Sequence, residues 1–111
     1  MSHSSYIKNG ITVITLSGKI MGGPEAGEVN DQIHSLIDEG KKKIVIDLKD
    51  VDWMNSSGLG ILIGAITTLK NNDGTLTVTN VSERIMNLLK ITKLKDIFTI
   101  QPDIDTAISS M

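Results

Sequence analysis

Ser56 and Ser57 are adjacent hydroxyls followed at once by Gly58, within the stretch "VDWMNSSGLGILIGA". An apolar run with helical spacing begins straight after them, so the pair is expected where a loop meets a helix N-terminus. A serine at that place can cap the helix by accepting hydrogen bonds from first-turn amides. The same place suits a modification. A helix N-terminus carries about half a positive charge and free N–H groups, so it favours an anion. A phosphate on Ser56 would add about −1.5 to −2 charges to a local surface without opposing the helix. Gly58 is expected to leave the hydroxyls unshielded.

Catalytic chemistry has little support in the residue types. A serine nucleophile needs a base, and no G-x-S-x-G elbow is present. The two histidines are His3, expected in a flexible N-terminal tail, and His34, expected on a helix surface. No G-x-x-x-x-G-K-[ST] loop exists to cradle a nucleotide. The glycine-rich "MGGPEAG" reads as a loop and helix start rather than an anion site. Asp47, Asp50 and Asp52 flank the serines without metal-ligand spacing and are expected to solvate a loop. The chain has no cysteine, so disulfides and thiolate metal sites are excluded. No catalytic residue, cofactor or metal is therefore expected.

The elements that must position the serines can be read along the chain. Asn9-Gly10 is a two-residue hairpin signal, followed by a β-branched strand from Ile11 to Leu16. Pro24 opens a helix in which Val29, Ile33, Leu36 and Ile37 recur at helical spacing and which Gly40 stops. Ile44 to Leu48 lacks clean alternation and reads as a central strand covered on both faces. Beyond Gly58, Leu59, Leu62, Ile63, Ile66 and Leu69 form the buried stripe of a second helix, ended by "NNDG". "TLTVTNV" is a third apolar strand. Ser82 caps a helix that turns Ile85, Met86, Leu88 and Leu89 inward. "IFTI" is a last short strand, and Asp103 caps a C-terminal helix.

This alternation predicts an α/β fold: a mixed, mostly parallel β-sheet of about four to five strands flanked by helices, with an N-terminal β-hairpin. Residues 1–111 are expected to form a single domain, with residues 1–5 as a flexible tail. A length of 111 residues, 40% hydrophobic and 22% charged, fits one soluble globular unit. A net charge of −2 and one each of Trp, Tyr and Phe give no support for nucleic-acid binding. No apolar run is long enough to cross a bilayer and no signal peptide is evident, so a cytoplasmic location is expected.

The segment "IVIDLKDVDWMNSSGLGILIGA", with "LSGKI" before it and "TVTNVSERIMNLLKITKLKDIF" after it, closely resembles the STAS domain of bacterial anti-sigma factor antagonists. The resemblance covers nearly the whole chain and implies a mixed sheet flanked by helices. It also implies partner switching. The first hydroxyl of the corner, Ser56 here with Ser57 as second choice, is phosphorylated by a partner that is both anti-sigma factor and serine-protein kinase. The unphosphorylated antagonist binds that partner and frees a sigma factor, and a PP2C-type phosphatase reverses the modification. Partner contacts are expected at Met21, Gly22, Trp53, Asn55, Ser56, Ser57, Gly58 and Leu59, with room for a weak homodimer.

Two positions depart from the family pattern. Asn55 stands where an acidic residue usually precedes the serine, and Met21 where an Asp often follows the strand end. The competing expectation is a STAS interaction module of another signalling or transport complex, with Ser56 only a helix cap. An enzyme or small-ligand binder ranks last.

Overall fold

The structure, a computed structural model, describes residues 2–111. β1 (Ser2–Lys8) and β2 (Ile11–Ile20) pair antiparallel across the Asn9-Gly10 turn. Both turn residues take positive φ, 53° and 77°, which this turn type requires. The chain then alternates α1 (Pro24–Asp38), β3 (Lys43–Met54), α2 (Ser56–Asn71), β4 (Thr75–Thr79), α3 (Glu83–Ile91), a 3-10 turn at Lys95–Ile97, β5 (Thr99–Gln101) and α4 (Ile104–Ser110). The sheet order is β1-β2-β3-β4-β5, and every pair after the first is parallel.

Strand side chains alternate between two helix layers. Ile14 and Leu16 of β2, Ile44, Ile46 and Leu48 of β3, and Leu76 and Val78 of β4 join the main core. That core is completed by Val29 and Ile33 of α1, Leu59, Leu62, Ile66 and Leu69 of α2, and Ile85 and Leu89 of α3. On the opposite face Val13 and Val45 pack with Ala107 of α4. β3 is therefore covered on both faces, as its unbroken apolar run predicts. Ser82 and Asp103 cap α3 and α4 through bonds from the Ile85 and Thr106 amides. In α3, Ile85 and Leu89 are buried, while Met86 and Leu88 lie at the boundary.

Three readings change. Ser2 to Ser5, expected in a flexible tail, belong to β1, while Met1 lies outside the described residues. The Ser2–Ser5 segment pairs with Ser17 through Ile14. His3 also meets Glu28 of α1 at 3.5 Å, and Ser5 Oγ accepts from Gln32 Nε2 at 2.9 Å. Second, β2 and β3 run past Leu16 and Leu48 to Ile20 and Met54. Pairing with β4 stops at Asp47 and Thr79, whereas pairing with β2 continues to Ile20 and Met54 through two register shifts. One edge of that extension is open, which is why it tolerates the exposed Lys49, Asp50 and Asp52. Trp53 accordingly sits on a strand, opposite Lys19, and not in a loop. Third, Asp47 does not solvate a loop. It is 4% exposed and accepts from Thr79 Oγ1 at 3.1 Å and Asn80 Nδ2 at 2.7 Å. These bonds satisfy a carboxylate that would otherwise be costly to bury.

Candidate functional site

The serine corner is built where the extended ends of β2 and β3 meet α2. Asn55 leaves β3 in an extended conformation, and its amide donates to the Ile20 carbonyl at 3.3 Å. Its side-chain Oδ1 accepts from the Gly58 amide at 2.7 Å, and its carbonyl accepts from Leu59 N at 2.9 Å. Asn55 is thus the N-cap of α2. Ser56 and Ser57 follow as its first two helical residues, so the expectation that a serine caps this helix is overturned. Asn, Ser and Ser stand in a row, and the helix starts one residue too early for either serine to reach a first-turn amide in the capping geometry.

The reason the helix starts there lies at Gly58. A Cβ on Gly58 would stand 2.0 Å from the Ile20 carbonyl oxygen. Only a residue without a side chain lets the first turn of α2 press against the end of β2. Gly22, at φ +84°, also approaches the first turn, less closely: a Cβ there would be 3.0 Å from Ser57 Cβ. The β2–α1 loop therefore leans on Ser57, and Ser56 and Ser57 are both exposed. Neither serine hydroxyl makes a hydrogen bond among the described residues. No acidic residue occupies the first turn of α2.

Of the residues expected to meet a partner, the structure gathers Met21, Gly22, Asn55, Ser56 and Ser57 into one corner, with Trp53 beside it. Met21 is a large apolar side chain left 52% exposed. Trp53 is half-buried and lines an open depression with Lys19, Met21, Asp52 and Arg84. Gly58 and Leu59 are withdrawn from this surface: both are buried, Gly58 against Ile20 and Leu59 in the main core. Lys19 and Arg84 were not singled out by sequence. Lys19 could have been found from the strand's alternation, but Arg84 is brought in from α3 by the fold alone. Both histidines lie on β1 and α1, outside this corner. Among the described residues no group of three His, Asp or Glu is arranged to hold a metal ion.

The STAS domain family model matches residues 4–107. The chain belongs to the STAS domain family. Two anti-sigma-B factor antagonists are similar to this STAS domain in sequence. The one from Staphylococcus aureus (strain NCTC 8325 / PS 47) is 36% identical over 70 residues, 63% of this chain and 65% of that protein. The one from Bacillus subtilis (strain 168) is 47% identical over 55 residues, half of each chain. The aligned region spans less than two thirds of the length of either relative. In fold, the domain is similar to the Bacillus cell fate determinant SpoIIAA in its phosphorylated form, with a TM-score of 0.73 and 19% identity over 98% of both chains. The five-stranded mixed sheet with its helices is thus a STAS fold. No helix among the described residues is long and apolar enough to cross a membrane.

Proposed function

We propose that this STAS domain is an anti-sigma factor antagonist, a binding protein and not an enzyme, controlled by phosphorylation of Ser56. The observation that carries the reading is the position of Ser56: exposed, at the first turn of α2, and relieved of capping by Asn55. Its hydroxyl is free to accept a phosphoryl group. The helix N-terminus favours the resulting dianion, so modification leaves the domain folded. What changes is the surface around Met21, Ser56 and Trp53, which gains charge where a partner would be desolvated. The names of the two bacterial relatives support the same role. The phosphorylated state recorded for SpoIIAA supports the same type of control. The partner is a combined anti-sigma factor and serine kinase in the cytoplasm, and a PP2C-type phosphatase restores the binding form. The reading in which Ser56 is only a cap loses its premise, because Asn55 does that work.

The test is incubation with a purified kinase-type anti-sigma factor from the same genome and labelled ATP, followed by mass spectrometry. Label on Ser56 is expected. Dominant label on Ser57, or none on either serine, would overturn the assignment.

A further inference from the structure

We propose that the depression between Lys19, Trp53 and Arg84 receives an acidic, apolar-anchored segment of the protein partner, so that recognition at this corner runs from a basic domain surface to an acidic partner. The proposal rests on the function above for the identity of the partner, but not for the chemistry of the surface. Lys19 enters from β2, Trp53 from β3 and Arg84 from α3, and Met21 closes the depression from the β2–α1 loop. Two exposed cations face one carboxylate, Asp52, so the spot is locally positive on a chain whose net charge is −2. Neither Lys19 nor Arg84 forms an ion pair among the described residues, whose ion pairs are His3–Glu28, Lys8–Asp105 and Lys41–Glu39. The exposed Met21, the half-buried Trp53 and Arg84 are residue types that interfaces favour, and they stand here beside the Lys19 cation.

The sign of the charge also gives phosphorylation a mechanism. The corner at Asn55–Ser57 carries no acid of its own. A phosphate on Ser56, three positions after Trp53, would bring about −2 to this end of the domain. Against an acidic partner that charge repels. Against a basic partner it would strengthen binding. An acidic partner therefore makes modification a release signal, and a basic one does not.

The full chain, 15N-labelled, should be titrated with the peptide Glu-Leu-Glu-Leu-Glu and with its Gln-for-Glu counterpart, followed by NMR. The acidic peptide should move the Trp53 indole N–H and the Lys19, Met21 and Arg84 signals, and bind at least about threefold tighter than the amide peptide. Added salt should weaken it. Lys19→Glu and Arg84→Glu should each cut its affinity by about tenfold, and Ser56→Asp should lower it as well. Equal binding of both peptides, shifts confined to other residues, or no shift at all would overturn the proposal. An unchanged affinity in Ser56→Asp would overturn its regulatory half. These outcomes are separate from the kinase assay: acidic-peptide binding without label on Ser56 upholds the surface and removes the phosphorylation cycle, and label without peptide preference does the reverse.

Discussion

Asn55 Oδ1 lies 2.7 Å from the amide nitrogen of Gly58. This one bond divides labour within three consecutive small polar residues. Asn55 holds the helix, and Ser56 and Ser57 are left to face outward. The division follows from packing: Gly58 must touch the Ile20 carbonyl, which fixes the first turn of α2 and with it the identity of the cap.

Asn55→Ala should therefore cost about 0.5–2 kcal/mol, the usual loss on removing a cap. Ser56→Ala should stay within about 0.5 kcal/mol, as for other surface substitutions. Urea denaturation of both variants measures the difference. Equal losses, or a larger loss at Ser56, would return the cap to the serine.

Two glycines on α2 should respond in opposite directions. Gly58→Ala forces a methyl to within 2.0 Å of backbone, and should destabilise by roughly 1–3 kcal/mol or more. Gly60 is exposed, with nothing within 4 Å of an added Cβ. Gly60→Ala should gain up to about 1 kcal/mol from helix propensity alone. Thermal melts of the two variants should bracket the parent. A Gly58→Ala protein as stable as the parent would mean the helix–strand contact is loose.

Much of this architecture is carried by local signals. Asn9-Gly10, Ser82 and Asp103 each act within three residues of themselves, and each works as its type predicts. The serine corner is different. Choosing among Asn55, Ser56 and Ser57 as cap requires knowing that Gly58 meets Ile20, 38 positions earlier, and no periodicity encodes that contact. The extension of β3 was hidden by Lys49, Asp50 and Asp52, charges that suit a strand only because its β4 side is open there. Asp47 did carry a signal: a lone acid inside "IVIDL" must either end the strand or find donors. It finds them in Thr79 and Asn80.

Asp47→Ala should consequently cost about 1–3 kcal/mol by leaving the buried Thr79 hydroxyl and the Asn80 amide without an acceptor. Combining it with Thr79→Val should cost less than the sum of the two singles, because the stranded hydroxyl is then gone. A strictly additive double mutant would show that the bond contributes nothing specific.

Acid should weaken the cap of α4 in a defined direction. The Thr106 backbone N–H bonded to Asp103 at 2.7 Å holds that carboxyl below its ordinary 3.8. A folded-state value below the unfolded one means that the contribution is present above the unfolded value and is lost as pH falls through the folded one. Asn caps as well as Asp but does not titrate in this range. The stability difference between the parent and Asp103→Asn should therefore shift in favour of the variant as pH drops below about 4. A difference that stays flat between pH 6 and 2.5 would remove this role of Asp103.

The decisive pair is Ser56→Ala and Ser56→Asp. With Asn55 holding the cap, neither change should unfold a domain of ordinary stability, about 5–15 kcal/mol. A carboxylate in the first turn of α2 interacts favourably with the helix dipole. Ser56→Asp should therefore melt at or above the temperature of Ser56→Ala. Binding should order them the other way. Ser56→Ala keeps a small neutral side chain at this exposed corner, so it should bind the anti-sigma partner while resisting phosphorylation. Ser56→Asp places an unpaired charge at that contact and should weaken binding by about 2 kcal/mol or more. A cap would link stability and binding, because losing the helix end would damage both. A switch separates them, because the charge is welcome to the helix and unwelcome to the partner. Calorimetric melting and a pull-down with the anti-sigma factor, run on both variants, measure the two quantities independently. Equal binding by the two variants would leave Ser56 an ordinary exposed serine.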